Sequence, residues 1–306
     1  MWRENVVLEL SALLNSDEHR RSYRYLLLDM LGVSSELSDI YPEALRDTLS
    51  SEEFSPIKRP ELQHDLASCP HLICLAKPNH DVNHSLLFAS QWQASDDFLV
   101  TKQYVCGWIV SEQPIEELAQ SLLSIGQKLG ALLSMRFFPF YEPFRIQLLQ
   151  DSHLSYSNWI EDFLPQNTHY YYMDITQSIR QVNSVNRYHS PKYFLDYTIG
   201  FFQRESTSLF RLYVSWYDLN QKQGREVKLD ALSIMMKYYL DANVIGLSNA
   251  EDRTLFVLFS MQYGNLTQNP ILKDIIDDVA LNAQGTLAKR LRQVESELSQ
   301  LTNTNG

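Results

Sequence analysis

The stretch that decides the fold is "FLVTKQYVCGWIVSEQPIEELAQSLLSIGQKLGALL" (98–133). Its first half is rich in β-branched and aromatic residues and reads as a strand. Its second half opens on Ser111, places Pro114 three residues on and carries acids in the first turn, as a capped helix does. Ile115, Leu118, Leu122 and Ile125 then fall on one face, which predicts a helix lying on a sheet. Strand followed by sheet-covering helix is the signature of an α/β or α+β lobe.

Working outward, "YRYLLLDML" (23–31) is an apolar run ending at Asp29, a buried strand or a helix end by pattern. Residues 34–66 read as a long polar connection with one short helix. "CPHLICLA" (69–76) reads as a strand, and "SLLFASQW" (85–92) continues the β character. "MRFFPFYEPFRIQLL" (135–149) reads as strand and turn, with the next helix starting at Pro143. "HYYYMDI" (169–175) closes the lobe.

Beyond it the character changes. Ser190 and Pro191 suit a helix start, and Leu209, Leu212, Tyr213 and Trp216 keep helical spacing. The alternative is a hairpin formed by "YTIGFFQ" and "LFRLYVSWY". After Gly224 the segments are helical, with Gly246 and Gly264 placed where helices end. The expectation is therefore an α+β (or α/β) N-terminal lobe, 1–175, with a mixed sheet flanked by helices, a connecting segment at 176–228, and an all-α lobe at 229–306.

With 306 residues, 44% hydrophobic and 21% charged, the chain reads as globular. A formal charge of -11 argues against sequence-independent nucleic-acid binding, which rests on Lys and Arg displacing counterions. "MWRENVVLELSALL" (1–14) reads as a helix interrupted by Glu4 and Glu9 rather than a signal peptide, and no apolar run reaches membrane-spanning length. Cys69, Cys74 and Cys106 form an odd set without metal-type spacing and read as buried thiols of a reducing compartment.

No glycine-rich phosphate loop, dinucleotide fingerprint or nucleophile elbow occurs, so no cofactor is expected. "HDVNH" (80–84) spaces two histidines like a zinc helix, but it follows a loop and reads as a polar turn, so no metal site is expected. Cys106 lacks the basic surroundings of a nucleophile. Asp29 and Glu142 would form an acid/base pair only if the fold united them. The competing reading has each accept hydrogen bonds near a strand end. Leu287, Leu291, Val294, Leu298 and Leu301 form a short heptad seam, either packing on its own domain or mediating self-association.

Taken in order, "YLLLDM" (25–30), "CGWIVSEQPIEELAQSL" (106–122) and "MRFFPFYEPFRIQLL" resemble the domain shared by type VI secretion effector chaperones, the Tap or TEC adaptors. The likeness resumes in "ANVIGLSNAEDRTLFVLFSMQYGNLTQNPILKDII" (242–276). Asp29, Ser111 with Glu116, Glu117 and Leu118, and the run Phe140-Tyr141-Glu142-Pro143 occupy the family's places. In the family corner an aspartate and an arginine flank the proline. Here Glu142 takes the acid's place, Phe144 follows Pro143, and Arg145 or Arg136 would supply the cation. The resemblance implies a non-enzymatic adaptor of the bacterial cytoplasm, without cofactor, nucleic acid or membrane insertion. Its partners would be a cognate toxic effector and the VgrG spike protein. It marks Asp29, Trp108, Phe138, Phe140, Tyr141, Glu142, Pro143 and Arg145 as motif or partner-binding candidates. The readings set against it are a hydrolase using Asp29 and Glu142, and a self-associating scaffold.

Overall fold

A computed structural model describes residues 9–151, 159–184 and 197–294. The chain divides into two compact units, Met1–Gln203 and Arg204–Gly306. The first is α+β and the second all-helical, as the patterning predicts.

The first unit is built on a six-stranded sheet: β1 (Tyr23–Leu28), β2 (Phe54–Pro56), β3 (His71–Ala76), β4 (Val105–Ser111), β5 (His169–Met173) and β6 (Ile179–Asn183), in the order β2-β3-β1-β4-β5-β6. Every neighbouring pair is antiparallel, where a mixed sheet was expected. The reason lies in the crossover. β3 and β4 run parallel and are joined through α3 (His84–Asp96), but β1 lies between them and pairs antiparallel with both. Strand–helix–strand alternation cannot tell such a split unit from adjacent parallel strands.

β1, β3 and β4 are buried on both faces, which explains their near-continuous apolar runs. One face, with Tyr25, Leu27, Leu72, Ile109, Tyr170 and Tyr172, packs against α4 (Ile115–Leu132) and α5 (Pro143–Asp151). The other, with Leu26, Ile73, Trp108, Val110 and Tyr171, packs against α3, α2 (Pro42–Thr48) and the helical residues 9–14 (α1). Ile115, Leu118, Leu122 and Ile125 of α4 all face the sheet, as their spacing requires.

Four local expectations are corrected. "SLLFASQW" lies in α3, not in a strand. Asn83 caps the helix by accepting from the Ser85 and Leu86 N–H groups, and the buried polar residues Ser90 and Gln91 blur the apolar period. Ser111 ends β4 rather than capping α4, with its Oγ accepting from the Gln113 N–H at 3.2 Å; Pro114 holds the cap position. Residues 135–138 form no strand. The sheet also continues past residue 175, because β6 pairs along the whole of β5. A short α6 (Trp159–Phe163) precedes β5.

In the second unit "LFRLYVSWY" lies in a helix, α8 (Ser206–Lys222), preceded by α7 (Tyr197–Arg204), so the hairpin alternative does not hold. Ser190 and Pro191 lie outside the described residues. The helices α9 (Ala231–Ile245), α10 (Ala250–Tyr263), α11 (Pro270–Asn282) and α12 (Leu287–Gln293) follow. Gly246 ends α9 at φ 95° and Gly264 follows α10 at φ 86°, conformations that cost a residue with Cβ. Asp252, buried in α10, accepts from the Leu287 N–H at 3.0 Å and from the Gly285 N–H, so one helix caps another. Leu287 and Leu291 of the heptad seam are buried within the unit. Leu298 and Leu301 lie outside the described residues.

Candidate functional site

The corner after α4 begins with a close fit. Phe137 lays its ring over Gly126, where a Cβ would stand 2.1 Å from the ring, and the Phe138 N–H donates to the Gly126 carbonyl at 2.8 Å. Phe137, Phe138, Phe140 and Tyr141 are all buried, and Phe140 meets Tyr141 edge-on with centroids 5.8 Å apart. Tyr170 Oη donates to the carbonyls of Cys106 and Tyr141, both at 3.2 Å, tying the corner to β4 and β5. Arg59 Nη1 donates to Tyr141 Oη at 2.9 Å, and its guanidinium lies 5.0 Å from the Phe137 centroid while pairing with Glu61. Pro143 then opens α5.

This corner brings Glu142 to Asp29. Asp29 follows β1; its N–H donates to the Tyr104 carbonyl at 2.8 Å, and its Oδ1 accepts from the Leu31 N–H at 3.0 Å. Lys102, in the loop before β4, places Nζ 2.6 Å from Asp29 Oδ2 and 2.7 Å from Glu142 Oε1. Arg145 Nε meets Glu142 Oε2 at 2.5 Å, Nη1 donates to the Gln203 carbonyl at 2.9 Å, and the guanidinium covers the Phe138 ring at 5.2 Å. Gln203 Nε2 returns a bond to the Arg145 carbonyl at 3.1 Å. Of the two arginines, Arg145 is thus the one that pairs with Glu142, and Arg136 is exposed.

The charges reinforce one another. Burial opposes the Lys102 ammonium, yet Asp29 and Glu142 overcome it and hold the group above its usual range. Burial likewise penalises the Glu142 carboxylate, and Lys102 and Arg145 outweigh that, keeping it ionised below the usual range. Burial raises the Tyr141 and Cys106 groups well above their ordinary values, with Asp29 adding to the effect. Cys106 is therefore a core thiol, and all three cysteines are free and buried.

The structure gathers Asp29, Phe138, Phe140, Tyr141, Glu142, Pro143 and Arg145 around one partly buried ionic cluster. Trp108 lies apart, on the opposite face of the sheet, donating from Nε1 to Ser90 Oγ at 2.9 Å. Lys102 escaped sequence reasoning: it is a lone lysine in the loop between α3 and β4, and its only local signal is a position just before a buried strand. In "HDVNH", His80 Nδ1 turns back on the Pro78 carbonyl at 3.0 Å and Asn83 serves as a helix cap, which is the polar-turn reading.

A second feature lies within the helical unit. Helices α8, α9 and α10 leave a groove of about 460 Å³, lined by Trp216, Leu219, Ile234, Leu255, Leu258, Phe259 and Met261 and edged by Arg225, Glu226 and Lys228. Among the described residues no helix is long and apolar enough to cross a membrane. In comparisons with family models, curated proteins and solved structures, nothing matched this chain.

Proposed function

We propose that this chain is a non-enzymatic adaptor that binds a toxic type VI secretion effector in the bacterial cytoplasm and helps load it onto the VgrG spike protein. The observation that carries this reading is the contrast between a charge-paired corner and an apolar groove. The corner's carboxylates are both neutralised by cations, and Glu142 is held ionised, so it is no proton donor at neutral pH. Its aromatics are spent on the core. That favours architecture over hydrolysis at Asp29 and Glu142.

The groove in the helical unit has the opposite character. It presents apolar and aromatic side chains beside charged ones, the arrangement that anchors a few large side chains of a partner segment. Its volume suits one or two such anchors. The order of motifs, which resembles that of effector chaperones, suggests the class of partner. The negative charge of the chain would keep the loaded complex dispersed and favour basic regions of the effector.

The test is affinity capture of the full chain from a bacterium assembling a type VI apparatus. Recovery of one toxin-sized protein together with the spike supports the reading. Capture of neither, under conditions where toxin secretion is active, contradicts it.

A further inference from the structure

The turn before β1 and the start of β5 carry an arrangement that the adaptor reading does not use. Glu18 and His19 lie in the turn between α1 and β1, and His169 begins β5. A carboxylate oxygen of Glu18 and one ring nitrogen from each histidine lie within 4.8 Å of one another. The two rings are 4.7 Å apart, tilted by 45°.

Both rings are oriented by neighbours on one face of the β5–β6 hairpin. Asn183, paired with His169 across the strands, accepts from His169 Nδ1–H at 2.8 Å, which leaves Nε2 with its lone pair. Tyr171, two residues along, meets His19 Nε2 at 2.6 Å, and Gln181, its cross-strand partner, donates to the same hydroxyl at 3.1 Å. With Nε2–H donating to Tyr171, His19 offers Nδ1 as the remaining donor atom. An imidazole fixed through its second nitrogen is the usual outer support of a metal ligand.

We propose that Glu18, His19 and His169 form a binding site for a zinc-class divalent cation. Two imidazoles and a carboxylate suit zinc and its late first-row neighbours better than magnesium or calcium, which take oxygen ligands. Metal–donor bonds of about 2.0–2.1 Å place tetrahedral donors about 3.3 Å apart, so the trio must contract by about 1.5 Å at most. Glu18 is exposed and free to close that distance. The cation would pin the turn before β1 to the start of β5, two segments that share no ladder, and leave a fourth position for water.

The experiment is calorimetric titration of the full chain with zinc chloride, with magnesium as a control and cobalt(II) as a spectroscopic probe. The site predicts one equivalent of zinc with a Kd on the order of 10 µM or tighter, a raised melting temperature, tetrahedral cobalt absorption and no response to magnesium. Glu18→Gln, at an exposed position that does not threaten folding, weakens zinc at least about tenfold, and Asn183→Ala weakens it by about the same through lost orientation. His169→Ala abolishes the site. Absence of saturable zinc binding to the wild type overturns the proposal. So does binding that is unchanged in both Glu18→Gln and His169→Ala with circular dichroism intact.

Discussion

Asp29 and Glu142 grip the same ammonium: Lys102 Nζ stands 2.6 Å from one and 2.7 Å from the other. The end of β1 and the start of α5 are thereby fixed to the loop that feeds β4. A fully buried Asp29 is tolerated because its charge is paired and its Oδ1 is hydrogen-bonded.

Lys102→Met keeps the aliphatic stem and removes the cation. It leaves Asp29 buried without a counter-charge, and urea unfolding should show a loss of about 3–5 kcal/mol. Adding Asp29→Asn to that variant should restore part of the loss, since the orphaned charge is gone. A loss under about 1 kcal/mol in Lys102→Met would mean that the cluster is solvated and dispensable.

The cluster also has a pH window. The folded Glu142 carboxyl lies below its unfolded value, so its contribution is present above the ordinary carboxylate range and is lost as pH falls through the folded value. The folded Lys102 group lies above its unfolded value, so its contribution is present below the ordinary lysine range and is lost as pH rises through the folded value. Stability from this source should be flat across neutral pH and fall at both extremes.

His71 adds an earlier acid limb. Burial pushes its imidazole down to about 4, while Nδ1–H donates to the Cys69 carbonyl at 2.8 Å and the ring stacks on Phe54 at 4.2 Å. A folded value below the unfolded one means that stability is full above about pH 6.5 and declines towards pH 4, by about 3 kcal/mol. His71→Asn retains the donor and should abolish that slope in denaturation midpoints measured between pH 7 and 4.

Gly126→Ala should cost about 1–3 kcal/mol, because the new methyl meets a buried ring. Combining it with Phe137→Leu should cost less than the sum of the two single changes, as expected for residues in direct contact. Additive losses would place the ring elsewhere.

Burial raises the Cys74 thiol to about 11 and holds the Cys106 thiol well above its ordinary value. A thiol reagent at neutral pH should find these two unreactive in the native protein and all three cysteines reactive after denaturation. Rapid native labelling of Cys106 would reopen its candidacy as a nucleophile.

Much of the fold was legible where burial is one-sided or complete. α4 shows a helical stripe, and β1, β3 and β4 show short apolar runs. α3 was not, because its buried face includes Ser90, which accepts from Trp108, and Gln91. β2 has three residues, and β6 buries only Val182, so neither presents an alternation to read. At the corner, the acids and Arg145 were visible as a motif, whereas Lys102 was not. The metal-ligand trio was invisible for a related reason: its members come from a turn and a strand distant in sequence, and helical histidine spacing drew attention to residues 80–84 instead.

In the proposed adaptor, the corner holds the fold while the helical groove meets the partner. The direct measurement is quantitative affinity capture comparing wild type, Glu142→Gln and Leu219→Asp, the last at an exposed position lining the groove. With folding verified for each, Leu219→Asp should lose at least about tenfold in captured effector, while Glu142→Gln keeps it and loses only stability. Undiminished capture by Leu219→Asp alongside loss in a folded Glu142→Gln would contradict the account and move recognition to the corner.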